Sequence, residues 1–284
     1  MSASCGGWLP LSEGVTYYEH AGPTDGPVVV LVHGFSVPSF VWDRTWPALT
    51  AAGWRVLRYD LYGRGASAKP MGRYDLRRFV TQLWELVDAL TPVRVRVALV
   101  GYSMGGPIVA GAAAARPERV RGVGLIAPVV AGVNMGWALR ALALPGLGPW
   151  LMRTVARPRM EQGVRADFHG PADEAYVQRY MAQWHDPGFA RALAASVRGG
   201  MLGDFRPVFA RLGRTGLPVW AVWGAADTLV PPHQLALLRD LVPGLRARQV
   251  PDVGHLVHYE RADAVNPDLV AWLDTLPENT DEHG

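Results

Sequence analysis

Short runs of β-branched and aliphatic residues alternate along this chain with stretches whose apolar positions recur every three or four residues. Val28–Val32 is apolar at every position, the pattern of a strand covered on both faces. Further runs at Arg55–Tyr59, Val95–Val100, Val120–Ile126, Pro218–Trp223 and Ala247–Val250 predict strands. Helices are expected to begin near Trp42, Leu76, Met104, His233 and Asn266. Such alternation builds a parallel sheet, because parallel neighbours need a crossover between them. Ahead of the first buried strand, Leu9–Ser12 and Val15–Glu19 flank Glu13-Gly14 and predict an antiparallel hairpin at the sheet edge. The expected fold class is α/β: a mostly parallel twisted sheet with helices on both faces.

One interval breaks the alternation. Between Pro128 and Leu217 about ninety residues carry helical patterning and no strand, far more than one crossover needs. Within it Asp186 can cap a helix whose first position is Pro187, and Tyr176, Tyr180 and Trp184 recur every four residues on one face. Residues 129–214 are therefore expected to form a helical cap inserted before a late strand, with 1–128 and 215–284 as the core. The polar tail Glu278–Gly284 is expected to fray.

Composition narrows the function classes. The 284 residues are 49% hydrophobic and 19% charged, enough for a large core. Twenty-eight basic residues, of which only Lys69 is lysine, stand against 25 acidic ones and leave a formal charge of +3. No basic run interleaved with aromatics is present, so a nucleic-acid partner is not expected. Cys5 is the only cysteine; neither an internal disulfide nor a thiolate metal cluster can form, and a reducing setting follows. Met1–Pro10 does not resemble a secretory signal, which makes cytoplasm the expected location. Val97–Ala115 and Gly122–Leu139 are uncharged over nearly the length of a membrane span, but glycines and prolines interrupt both, so stable membrane insertion is not expected.

The chemistry-bearing residues sit at predicted strand ends. Gly101-Tyr102-Ser103-Met104-Gly105-Gly106 follows one strand and opens a helix. A G-x-S-x-G turn in that place holds its serine in a strained backbone conformation with the hydroxyl standing above the sheet. The Met104 N–H then points out at a helix start, where it favours developing negative charge. A second donor is expected from the Phe35 N–H in His33-Gly34-Phe35, with His33 itself bracing the loop. Asp227 and His255 follow the last two predicted strands, so all three groups emerge at one face, in the chain order Ser, Asp, His of a nucleophile elbow.

Rivals exist for two of these roles. Asp252 could replace Asp227, but Asp227 lies on a different strand end from the histidine and can approach it from behind; it could also cap a helix near Pro231. His258 could replace His255, but it falls in a short helix with Tyr259 and Glu260, whereas Gly254 frees the loop at His255. His255 and His258 lack a third ligand at metal spacing, and neither a Walker motif nor a full dinucleotide fingerprint is present, so no metal and no cofactor are expected.

From His33-Gly34-Phe35 through Asp60-Leu61-Tyr62-Gly63-Arg64-Gly65-Ala66-Ser67 and Gly101–Gly106 to Asp227 and His255, nearly the whole chain resembles the α/β-hydrolase superfamily. Within it the sequence looks most like capped serine esterases and lipases, monoacylglycerol-lipase-like members included. The resemblance makes Asp60–Ser67 a structural turn. Ser103 departs from the aspartate nucleophile of epoxide hydrolases and haloalkane dehalogenases. The loop after His33 lacks the glycine-rich run of carbon–carbon bond hydrolases and proline iminopeptidases.

The expected activity is hydrolysis of a carboxylic ester with a hydrophobic acyl or aryl group through an acyl-enzyme, by a monomer or homodimer acting on a small molecule. Thioesterase, lactonase or carbon–carbon bond hydrolase chemistry, or a ligand receptor on the same scaffold, are the alternatives. Tyr102, Tyr176, Tyr180 and Trp184 are candidate substrate contacts, because a cap must roof the site.

Overall fold

In the computed structural model, which describes residues 5–133, 150, 154 and 157–278, eight strands form one sheet. They are β1 (Cys5–Leu11), β2 (Gly14–Ala21), β3 (Val28–Val32), β4 (Arg55–Tyr59), β5 (Val97–Tyr102), β6 (Val120–Ile126), β7 (Val219–Gly224) and β8 (Arg246–Val250). Their order across the sheet is β1-β2-β4-β3-β5-β6-β7-β8. From β4 to β8 all neighbours are parallel, and the β1–β2 hairpin joins antiparallel at one edge. The hairpin is longer than its alternation predicts, and β5 extends past Val100 to take in Gly101 and Tyr102.

The sheet divides the core in two, and side-chain alternation decides which half each residue joins. Val28, Val30 and Val32 pack into one layer while Val29 and Leu31 pack into the other; Val219, Ala221 and Trp223 against Trp220 and Val222 repeat the split in β7. The first layer contains α2 (Leu76–Leu90), α3 (Gly105–Ala115), α7 (Arg206–Gly213) and α8 (His233–Leu241). The second contains α1 (Trp46–Ala51), α9 (Val257–Glu260) and α10 (Ala262–Leu273). No helix among the described residues is long and apolar enough to cross a membrane.

Two helix starts differ from expectation. Trp42 closes a short 3-10 turn (Ser39–Trp42), and α1 begins only at Trp46. The last helix begins at Ala262 and carries Pro267 inside, so Asn266 lies within it rather than at its start. Between β6 and β7 come α4 (Arg157–Ala166), α5 (Glu174–Ala182) and α6 (Pro187–Arg198), followed by α7. Asp186 caps α6 as expected, accepting from the Gly188 N–H at 2.7 Å with Pro187 at the first position. Ala131 and Asp204 form a single antiparallel bridge near the two ends of this interval. The expected tail beyond Glu278 lies outside the described residues.

The turn after β4 is built around a buried carboxylate. Asp60 accepts from the Ser39 N–H at 2.9 Å, the Ser39 hydroxyl at 2.7 Å and the Ala66 N–H at 2.9 Å. Burial nevertheless raises its pKa despite those donors. Gly65 closes this turn at φ +50°, and a Cβ there would stand 2.0 Å from Asp60 Oδ2. Gly65→Ala is expected to destabilise the fold by more than about 1 kcal/mol, read as a lower urea midpoint at an unchanged m-value.

Candidate active site

The turn from β5 into α3 is set by close backbone approach. Ser103 sits at φ +53°, a left-handed conformation that non-glycine residues seldom adopt. Its N–H donates to the Ile126 carbonyl at 2.9 Å, and its own carbonyl accepts from the Gly106 and Val129 N–H groups at 3.0 and 3.2 Å. A Cβ at Gly101 would lie 2.4 Å from the Gly105 carbonyl oxygen, and one at Gly105 would lie 2.3 Å from that of Val32. The two glycines are therefore steric requirements of the turn.

Three side chains from three strand ends meet here. Ser103 Oγ lies 2.9 Å from His255 Nε2, and His255 Nδ1 lies 2.7 Å from Asp227 Oδ2. With Nδ1–H donating to Asp227, Nε2 is left to accept the serine hydroxyl. Asp227 also does the turn-capping work expected of an aspartate after a strand: Oδ1 accepts from the Leu229 and Val230 N–H groups at 2.9 Å each. One oxygen fixes the loop and the other fixes the imidazole. Burial alone would lower the His255 pKa, but the charge and hydrogen bond of Asp227, with the charge of Asp167, raise it above its ordinary 6.5.

The rival histidine is placed differently. His258 is fully buried between Trp42 and Tyr102, with ring centroids 4.8 and 4.5 Å away, and its polar contact is with the Val41 backbone. Burial, together with the nearby charge of His255, lowers its pKa to about 3. His33 braces its loop: Nε2 accepts from the Leu61 N–H and Nδ1 meets the Gly34 carbonyl, both at 2.9 Å. Burial, with the charge of Arg64, lowers its pKa to about 3 as well.

Neither the Phe35 nor the Met104 N–H is engaged by any hydrogen bond among the described residues. The Phe35 N–H shares its peptide unit with the Gly34 carbonyl, which meets His33 Nδ1 at 2.9 Å, and the next unit is held by Arg64 Nε, which donates to the Phe35 carbonyl at 2.7 Å. The remaining nitrogens of this buried guanidinium reach the Tyr62 carbonyl at 3.1 Å and the Ser196 hydroxyl of α6 at 2.9 Å. In the sequence Arg64 reads only as part of a structural turn; its reach to both the loop and α6 is a long-range contact that no local spacing reveals.

Ser103 and His255 open into a cavity of about 220 Å³. Phe35, Val37, Val129, Val133, Leu202 and Leu229 are among its apolar lining. Of the four candidate substrate contacts, Tyr102 and Tyr180 line it, whereas Tyr176 and Trp184 do not. Tyr176 is buried against Phe40, Phe168 and Tyr259, and Trp184 packs edge-on to Phe189. The stripe of Tyr176, Tyr180 and Trp184 is therefore mainly packing, because only its Tyr180 member reaches the cavity. Met160, Val164 and Asp167 also line the cavity, from α4 and the residue after it.

The family model described as alpha/beta hydrolase fold matches residues 27–262, from the first parallel strand into the last helix. The chain belongs to the α/β-hydrolase family. It is 32% identical over 267 residues to the magnesium-chelatase 30 kDa subunit of Rhodobacter capsulatus, covering 89% of each chain. It is also 32% identical over 263 residues to the dihydrolipoyllysine-residue acetyltransferase component of an acetoin cleaving system from Pseudomonas putida, spanning 89% of this chain and 65% of that relative. A crystal structure of a hydrolase from Pseudomonas aeruginosa PA01 superposes with a TM-score of 0.79 at 26% identity, covering 94% of this chain and 98% of the other. The three names differ and assign no single substrate.

Between about pH 6.5 and 3 the unfolded chain takes up protons that buried His33 and His258 refuse, so stability falls as pH falls, by about 1.4 kcal/mol per pH unit for each. His258→Phe, which removes one of these groups and keeps the ring, is expected to melt at no lower temperature at neutral pH. Its melting temperature should also fall less on acidification than that of the parent protein.

Proposed function

We propose that the chain is a serine hydrolase that cleaves carboxylic esters with a hydrophobic acyl or aryl group. The reading places it in the capped esterase and lipase branch, near the monoacylglycerol-lipase-like members, with residues 129–214 as cap. The observation that carries it is the hydrogen-bonded line Ser103–His255–Asp227 opening into an apolar cavity beside two unengaged N–H groups.

In this mechanism Ser103 Oγ attacks the acyl carbon as His255 Nε2 takes its proton, and Asp227 stabilises the imidazolium that forms. The oxyanion is received by the Phe35 and Met104 N–H groups. Each such donor lowers the barrier by about 2.7–4 kcal/mol where it has been tested, because it is already oriented before charge develops. His255 then protonates the leaving alcohol. Water attacks the acyl-enzyme by the same route, its proton passing to His255, and Ser103 is released with the carboxylic acid. Ser103 as nucleophile sets this scheme apart from the aspartate-based route to epoxide opening.

Multiple turnover on p-nitrophenyl esters of graded acyl length tests the reading and ranks the acyl pocket. A ligand receptor would give no steady turnover, and thioesters or lactones hydrolysed faster than matched esters would move the assignment to those classes. Ser103→Ala is expected to lower kcat by a factor on the order of 10⁶ with an unchanged melting profile; retention of most activity would reject the nucleophile. The acid limb of kcat/KM is expected above 6.5, since activity is lost as His255 is protonated and its pKa is raised. A limb at or below 6.5 would contradict the Asp227 and Asp167 field at the imidazole.

A further inference from the structure

The cavity holds one charged group that enters the scheme above only through its field on His255. Asp167 follows α4 directly, its N–H donating to the Gly163 carbonyl at 2.9 Å, and it lines the cavity together with Ser103 and His255. Among the described residues no hydrogen bond reaches its carboxylate, and its charged neighbours are His255, which favours ionisation, and Asp227 and Glu260, which oppose it. Desolvation dominates and raises its pKa to about 6.

The position is fixed by packing rather than left at a loop tip. A Cβ at Gly254, next to His255, would stand 2.9 Å from the Asp167 carbonyl oxygen, so this glycine lets the segment lie directly on the histidine loop. Phe168 is buried edge-on to Tyr176 and Tyr259. The His169 and Gly170 N–H groups donate to the Glu260 carboxylate at 2.9 and 3.3 Å. Three consecutive residues thus clamp the backbone that presents Asp167 to the site.

A carboxylate held in an apolar cavity without a donor costs stability, and that cost is offset when a bound molecule supplies the donor. A hydrocarbon chain filling the cavity would leave it unpaired. We propose that Asp167 is a specificity-determining residue that receives a hydroxyl or ammonium group of the substrate, so that the preferred ester carries a hydrogen-bond donor on an otherwise apolar chain. The inference rests on the hydrolase reading and names the substrate class of that same site.

The test compares p-nitrophenyl esters of ω-hydroxy and ω-amino acids of graded length with their methyl-terminated isosteres. A matched series carries the donor on the alcohol side. At the length that reaches Asp167, donor-bearing esters are expected to exceed their isosteres in kcat/KM by about tenfold or more. Asp167→Leu is expected to reverse that preference. Asp167→Asn should keep the advantage of the hydroxyl, since the amide oxygen still accepts, and lose that of the ammonium.

The proposal is overturned if no length in either series shows a donor preference, or if the preference survives Asp167→Leu. It is also overturned if Asp167→Leu slows all substrates equally, which would make Asp167 a positioning residue for His255. Calorimetric titration of Ser103→Ala with the corresponding ω-hydroxy, ω-amino and unsubstituted methyl esters reads the same preference as Kd without turnover. Failure of the hydrolase reading then remains distinguishable from failure of this one.

Discussion

The contact on which the site depends is backbone against backbone, where the start of α3 meets the end of β3. No side chain fits between the Gly105 Cα and the carbonyls of Val32 and His33, which a Cβ would approach to 2.3 and 2.8 Å. That proximity brings Ser103 beside the His33-Gly34-Phe35 loop, where a Cβ at Gly34 would stand 3.3 Å from the Ser103 Cβ, and Ser103 itself sits at φ +53°. Backbone strain of this kind costs on the order of 1–3 kcal/mol and persists only where the surroundings over-determine it. Here the bonds from Ser103 to Ile126, Gly106 and Val129 supply that determination.

A second layer of polar groups holds the loop facing the serine. His33 is kept neutral by burial and ties the β3 end to the turn after β4 through the Leu61 N–H. Arg64, from that same turn, grips the Phe35 carbonyl and reaches Ser196 on α6. No carboxylate pairs with it among the described residues, so its buried charge is met by oxygen dipoles and by the Phe35 and Phe79 rings, whose centroids lie 5.5 and 5.4 Å from its Cζ. The peptide units on either side of the Phe35 Cα are thereby held at their carbonyls, Gly34 by His33 and Phe35 by Arg64, while the Phe35 N–H makes no hydrogen bond among the described residues. Core turn, candidate oxyanion loop and α6 become one mechanical unit, which is why the Asp60–Ser67 segment bears on the site without touching the cavity.

What was legible in the sequence follows from the range of the interactions involved. Strands buried on both faces announce themselves by unbroken apolar runs, and Ser103 and Asp227 each follow one; His255 follows the polar edge strand Arg246–Val250, so its place is read from chain order and strand-end position. Asp227 does not cap a helix at Pro231, since that helix begins at His233; its second oxygen instead holds the Leu229 and Val230 N–H groups of the preceding turn while the first holds His255. Local signals misled at Pro267, where a proline suggests a helix start although the helix had already begun at Ala262. Tyr176, Tyr180 and Trp184 share a face, but periodicity cannot say whether that face meets a cavity or other side chains. Only Tyr180 does the former. Asp167 and Arg64 act across long sequence separations, through contacts that no spacing encodes.

His255 therefore stands between two carboxylates that are solvated in opposite ways. Asp227 is bound by the imidazole and by two backbone N–H groups, so its negative charge is fully engaged and its orientation fixed. Asp167 makes no such bonds among the described residues, and its backbone alone is clamped, by Gly254 below and Glu260 beside it. Both raise the imidazole pKa, yet only the first can orient the ring, because orientation needs a directional bond and the second offers a field. An orienting acid with a spare donor nearby would lose its grip on the histidine. A recognition acid already saturated by the protein would have nothing left for a ligand. The division of hydrogen-bond donors between the two is what allows one imidazole to be held from behind while the other carboxylate faces the cavity unpaired.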